Sequence, residues 1–260
     1  MSELKPKLSI ILPVYNEADS LKVMVPILEA IVEEEHEVLV VYDSPDDNSI
    51  EVVDWLKEKY PNIRGILNNL GKGAGNAIKK GIQASTGGII LIALVDEVFP
   101  IAKISDMLEL VRKGCDFVSC SRYARGGKRF GGSFIGGCLS RIANKLFQII
   151  TGSVLTDSTT AMKMVRKSIF EKITIEDEGW ACAFEISIKA QLTGCKIGEV
   201  PLISVDRLFG GKSTFHLGPW FAAYMKWFIW GIRRLNRFSV PHRELITLDK
   251  LRNKEEEPER

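Results

Sequence analysis

The chain has 260 residues, 45% of them hydrophobic and 26% charged, with a formal net charge of +2. This length suits one large α/β domain or two small ones, and the composition is that of a folded globular protein, not a disordered or fibrous one. The near-balanced charge argues against nucleic acid as a partner. No run of about 18 apolar residues marks a transmembrane helix.

The five cysteines (Cys115, Cys120, Cys138, Cys182, Cys195) form no CxxC pair and no zinc spacing. Their odd number and mostly apolar surroundings fit buried free thiols in a reducing compartment. The three histidines (His36, His216, His242) are far apart, which argues against a histidine-rich metal site. The first seven residues lead straight into an apolar strand without a signal-peptide pattern, so a cytoplasmic location is expected.

In chain order, Leu8 to Leu12 reads as a buried strand ended by Pro13, and Asp19 to Ile31 has helical spacing. Val38 to Val41 is a second strand, closed by the polar cluster Asp43 to Ser49. Ile50 to Tyr60 is a helix stopped by Pro61-Asn62, and Ile63 to Leu67 is a short strand. Gly71 to Ala84 opens on glycines and continues as a helix, and Gly88 to Val95 is an apolar strand that ends at Asp96. This alternation predicts parallel strands with crossover helices, hence ligand binding at the carboxyl ends of the strands.

The second half is less regular. Ile101 to Lys113 reads as a helix, Phe117 to Cys120 as a strand, and Gly126 to Gly137 as a mobile glycine-rich, basic loop. Leu139 to Ile150 and Phe184 to Leu192 read as helices, with a strand near Ile197 to Ile203. From Ser239 the composition turns polar, and residues 239–260 are expected to form a frayed tail.

Asp43 and Asp96 each follow an apolar strand of one sheet, so both carboxylates face one crevice. There they could take a base N–H, a ribose hydroxyl or a hard cation. For Asp43 and Asp47 the alternative is a turn-forming role. The run Gly71-Lys-Gly-Ala-Gly75 is not G-x-G-x-x-G and follows the third strand, so it marks a tight turn into a helix and not a dinucleotide site. Arg122, Arg125, Lys128, Arg129 and Arg141 cluster around the glycine-rich loop, either as a lid over phosphates or as a solvated loop. The segment Pro219 to Phe238 carries Trp220, Trp227 and Trp230, followed by Arg233, Arg234 and Arg237. It suits a helix lying in a membrane interface, or else a core helix.

Leu8-Ser-Ile-Ile-Leu-Pro-Val-Tyr-Asn-Glu17 resembles the opening strand of family 2 glycosyltransferases. Val38 to Ser49 is similar to their second strand and acidic loop, and Asn69 to Ala77 to their glycine-containing segment. Ser121-Arg-Tyr123, Asp206-Arg207 and Gly210-Gly-Lys-Ser213 resemble later motifs of the polyprenyl- or dolichyl-phosphate sugar synthase branch. Together these motifs span about residues 8 to 235.

The resemblance implies a GT-A fold: a Rossmann-like, mostly parallel α/β sheet flanked by helices, over residues 1–217. An amphipathic helix over 218–238 and the polar tail would follow. It implies an inverting hexosyltransferase that uses a nucleotide-diphosphate sugar, with Mg2+ or Mn2+ as cofactor and a polyprenyl or dolichyl phosphate as acceptor, working on the cytoplasmic face of a membrane. In that reading Pro13, Tyr15 and Glu17 line the base and ribose pocket, and Val41 and Asp43 close it. Asp96 stands where the family has the last acid of its DxD metal motif, with Glu97 beside it as a second metal ligand. Arg122, Arg207 and Lys212 meet phosphates, and Asp157 matches a family position, where it would either orient the acceptor site or cap a turn.

Three departures stand out. The metal motif reads Leu94-Val-Asp96, without its first acid, the second-strand Asp pair reads Tyr42-Asp43, and Lys212 precedes Ser213 where the family usually has Ser before Lys. A phosphate acceptor is already anionic and needs no strong base. A saccharide hydroxyl would need a carboxylate, for which Asp177 or Glu178 is available. Transfer to such a hydroxyl, and a catalytically weak relative that binds nucleotide sugar, are the alternatives.

Overall fold

A computed structural model describes residues 8–131, 134–205, 217–235 and 244–251. The first half follows the expected alternation: β1 (Leu8–Val14), α1 (Ala18–Ile31), β2 (His36–Tyr42), α2 (Ser49–Lys59), β3 (Ile63–Leu67), α3 (Ala74–Ala84) and β4 (Ile89–Ile92). A 3-10 turn over Phe99–Lys103 then leads into α4 (Ile104–Arg112) and β5 (Phe117–Ser121). Next come β6 (Lys128–Phe130), α5 (Phe134–Thr151), β7 (Lys163–Arg166), the single turn α6 (Lys167–Phe170) and α7 (Cys182–Leu192). The described chain closes with β8 (Ile197–Pro201), β9 (Ile203–Val205), α8 (Leu217–Arg234) and β10 (Leu245–Ile246).

Eight strands form one sheet in the order β10-β8-β5-β7-β4-β1-β2-β3. Every neighbouring pair is parallel except the two made by β7, which runs antiparallel to both β4 and β5. All seven residues of β1 are buried, as a strand covered on both faces requires. Leu8, Ile10, Leu12 and Val14 pack with α1, α2 and α4 on one face. Ile11 joins Ala77 and Ile78 of α3 and Ile186 of α7 on the other. A third cluster joins α5, α7 and α8 through Phe147, Phe184 and Trp227.

The strand expected to stop at Pro13 runs on to Val14. The carbonyl of Ile11 accepts from Ala93 N–H, so positions 11 and 13 both turn their backbone groups toward β4. β4 ends at Ile92, so the N–H that proline lacks has no ladder partner to lose there.

The second half departs from the sequence reading in three places. Lys128–Phe130, expected in a mobile loop, pairs in parallel with β9. Helix α5 begins at Phe134, five residues before the expected Leu139, and Gly136-Gly137 falls in its first turn and a half. β7 was not anticipated at all, because Lys163 and Arg166 interrupt its apolar pattern. Part of the expected tail also pairs, with Leu245 and Ile246 opposite Ile197 and Gly198.

Candidate active site

The carboxyl ends of β1, β2, β4, β5 and β8 lie along one edge of the sheet. Because β7 is antiparallel, the loop that leads into it, residues 156–162, reaches the same edge. This topology brings Asp157 to Arg122.

Beyond β1, the loop 15–18 is laced to the loop after β2. Asn16 N–H donates to Asp47 Oδ2 at 3.0 Å, Glu17 N–H to Ser49 Oγ at 3.0 Å, and Ala18 N–H to Asn48 Oδ1 at 3.2 Å. Asn16 has a φ of 56°, a conformation Asn tolerates better than most residues. Asp47 Oδ1 also accepts from Ser49 N–H, so Asp47 has the turn-forming role that was its alternative. Tyr15 is exposed on this loop, and Glu17 accepts from Ser20 Oγ–H. Pro13 is buried. Val41 is fully buried in the cluster of Ile11, Leu39 and Ala77, so only its backbone can border a pocket.

Asp43 holds the glycine turn before α3. Its Oδ1 accepts from Asn68 Nδ2 at 2.7 Å and its Oδ2 from Gly73 N–H at 2.8 Å. Gly73 has a φ of 123°, which an L side chain would resist. The next turn docks on residues 177–179, where Gly75 N–H donates to the Glu178 carbonyl at 2.8 Å.

After β4 a turn carries Asp96 and Glu97, both half-buried. Glu97 accepts from Ser204 Oγ–H at 3.5 Å. Among the described residues no three His, Cys, Asp or Glu side chains converge as a metal cage. One or two carboxylates at a sheet edge are hard oxygen donors. They fit Mg2+ or Mn2+ that takes its remaining ligands from phosphate oxygens and water.

At the end of β5, Arg122 and Asp157 form a two-point pair. Nε meets Oδ2 at 2.7 Å and Nη2 meets Oδ1 at 3.0 Å, and Nη2 also reaches Thr159 Oγ1 at 2.9 Å. The Nη1 amino group takes no part in these bonds. Burial alone would raise the Asp157 carboxyl, but the Arg122 charge and the bonds from Arg122 and Thr159 together outweigh it and the net shift is downward. Burial would likewise lower Arg122, but Asp157 outweighs it and holds the guanidinium charged. Glu97 acts on Arg122 in the same direction, which places the turn after β4 within electrostatic reach of this pair.

Two groups behind the pair carry no motif of their own. Glu199 of β8 is buried. It accepts from Thr156 N–H at 2.8 Å, Thr156 Oγ–H at 2.7 Å and Asp157 N–H at 3.3 Å. Burial pushes its carboxyl up to about 7, and the bonds from Thr156 and Asp157 offset this only in part. Thr156 Oγ1 lies 2.6 Å from Ser121 Oγ, which accepts from Tyr123 and Ala124 N–H. A continuous run of bonds therefore ties β8 to the loop that carries Arg122. Lys163 of β7 is buried over the Phe117 ring and donates to the Thr160 carbonyl at 2.5 Å. Burial brings its amine down to about 8, although Asp157 opposes this. A lone Lys or Glu in an apolar strand gives no sequence signal beyond its being out of place.

Of the two acids before Trp180, Asp177 is committed to structure: its Oδ2 accepts from Trp227 Nε1–H at 2.9 Å and its Oδ1 from Gly179 N–H at 2.9 Å. Glu178 is exposed. Trp227 is fully buried, so this part of α8 is a core helix. Among the described residues no helix is long and apolar enough to cross a membrane. Arg207 and Lys212 lie outside the described residues.

The chain is 27% identical over 242 residues to a dolichol-phosphate mannosyltransferase of Pyrococcus furiosus, a match covering 90% of this chain and 68% of the relative. It is 28% identical over 208 residues to an undecaprenyl-phosphate 4-deoxy-4-formamido-L-arabinose transferase of Enterobacter sp., covering 78% of this chain and 61% of that one. Among solved structures, glucosyl-3-phosphoglycerate synthase from Mycobacterium tuberculosis, in complex with Mn2+, UDP and phosphoglyceric acid, superposes with a TM-score of 0.68. That match has 13% identity and covers 91% of this chain and 80% of that one, so the two share the GT-A fold. Residues 9–174, well over half the chain and the stretch from β1 to the loop after α6, match the model of Glycosyl transferase family 2, and the chain belongs to that family.

Proposed function

We propose that this protein transfers a sugar from a nucleotide-diphosphate donor to a polyprenyl or dolichyl phosphate, with inversion at the anomeric carbon. The observation that carries the proposal is the Arg122–Asp157 pair at the carboxyl edge of a family 2 sheet, with the Asp96–Glu97 turn within electrostatic reach of it. The named activities of the two sequence relatives support a polyprenyl-phosphate acceptor.

Asp96, with Glu97 beside it, would hold a divalent cation together with the donor diphosphate; the cation supplies charge neutralisation to the departing nucleoside diphosphate. The Mn2+ and UDP bound by the structural neighbour support this assignment. Tyr15, Glu17 and Asp43 would border the base and ribose, and Asp43 would share its carboxylate with Asn68 and Gly73. Arg122, fixed by Asp157, would turn its Nη1 group to a phosphate, and Arg207 and Lys212 are assigned to phosphates as well. The acceptor phosphate oxygen attacks the anomeric carbon while the bond to the diphosphate breaks. That nucleophile is already anionic, which agrees with both Asp177 oxygens being engaged elsewhere. The protein would work as a peripheral enzyme on the cytoplasmic face of a membrane.

A second reading, transfer to a saccharide hydroxyl, is favoured by one observation, the exposed carboxylate of Glu178. The test is thermal stability against UDP-, GDP-, CDP- and dTDP-sugars with and without Mn2+, followed by transfer to a polyprenyl phosphate by the parent and Glu178→Gln. A metal-dependent shift with one donor and unchanged transfer by the variant are expected. No transfer to the phosphate by the parent, with transfer to a saccharide that Glu178→Gln loses, would favour the hydroxyl reading, and no shift with any donor would favour a non-catalytic relative.

A further inference from the structure

Helix α5 is built the wrong way round for a helix packed on a soluble core. Leu139, Ile142, Leu146, Ile149 and Ile150 are each 48–55% exposed. At 100° per residue they fall within an arc of about 100°. The opposite side carries Ser140, Asn144, Phe147 and Thr151, of which Asn144, Phe147 and Thr151 are buried. Asn144 Oδ1 accepts from Ser158 N–H at 2.9 Å, its Nδ2 donates to Thr159 Oγ1 at 3.2 Å, and Tyr123 Oη–H donates to Ser140 Oγ at 2.9 Å. The polar side of the helix thus rests on the residues that flank Arg122 and Asp157, and its apolar side faces out.

The flanks of the stripe say what it faces. Arg141 and Lys145 lie along one edge, and α5 contains no acidic residue. Helix α8 packs against α5 where Gly231 admits the Phe147 ring; a Cβ there would stand 2.7 Å from it. It repeats the pattern with exposed Phe221 and Ile229, exposed Lys226 and Arg233, and again no acid. An apolar stripe bordered by cations alone is complementary to an anionic lipid surface.

We infer that the outer face of α5, continued by that of α8, docks the protein on an anionic membrane. This deepens the lipid-phosphate reading by setting the acceptor's headgroup near Arg122 while its chain stays in the lipid. It also moves the expected contact away from Trp227, which is core.

The test is flotation with vesicles of phosphatidylcholine and phosphatidylglycerol, without nucleotide or acceptor, so the result does not depend on whether transfer occurs. The parent is expected to float, and to float less with phosphatidylcholine alone. Ile142→Glu and Leu146→Glu should each lower the bound-to-free ratio about tenfold or more. Both sites are exposed, so thermal unfolding should stay near the parent's. Trp55→Glu, an exposed apolar site on α2, should float like the parent. Equal flotation of the α5 variants, or a parent that does not float, overturns the inference. So does sedimentation showing a parent dimer that Leu146→Glu splits without changing flotation, because the face would then join two copies of the chain.

Discussion

Arg122 and Asp157 meet in a two-point bond across 35 positions of sequence, Nε to Oδ2 at 2.7 Å and Nη2 to Oδ1 at 3.0 Å. Arg122 is therefore a positioned cation and not a loose one. The pair fixes the plane of the guanidinium through Nε and Nη2 and does not engage Nη1. Arg122→Lys keeps the charge but loses the fork. Transfer should fall about a hundredfold in kcat/KM, the scale of losing one placed donor. Asp157→Ala leaves a half-buried guanidinium without its counterion and should destabilise the fold by about 3 kcal/mol in urea unfolding.

Glu199 makes stability depend on pH through the neutral range. Its carboxyl is raised from 4.5 to about 7, so between those values the folded state holds a proton that the unfolded state has released. This group's contribution to stability should fall as pH rises from 4.5 to 7 and be flat above. Glu199→Gln should remove that slope. Urea midpoints of parent and variant across the window measure it, and parallel curves would contradict the assignment.

Glu37 acts in the opposite sense. Burial would raise its carboxyl, but bonds from Thr86, Ser9 and Arg64 outweigh that and bring it down to about 2. Its contribution is present above 4.5 and is lost as pH falls toward 2. Glu37→Gln should cost about 2–3 kcal/mol at neutral pH. The difference from the parent should shrink steadily through that acid range.

Gly75→Ala tests the docking of α3. A Cβ there would run into the carbonyl oxygen of Asp177, a backbone atom with little room to yield. The expected loss is about 3 kcal/mol in urea unfolding. Donor KM should also rise, because the same displacement pulls Gly73 from Asp43.

The order of strands and helices from Leu8 to Asp96 was legible in the sequence, because each parallel strand is a short apolar run and each crossover helix carries its own period and stop. The residues of the family motifs were legible too, including Arg122 and Asp157 as separate positions. That they pair was not, because their meeting depends on β7, an antiparallel strand hidden by Lys163 and Arg166. Glu199 gave no signal, since its role is to accept bonds from a loop more than 40 positions away.

Helix α5 marks the same boundary. The spacing of Leu139, Ile142, Leu146 and Ile149 determines a helix with one apolar side. Periodicity fixes which residues share a side, but not what that side meets. Only the tertiary structure turned it outward, because Asn144 and Phe147 on the opposite side found their partners in the loop beside Arg122 and in the rings of Phe184 and Phe228.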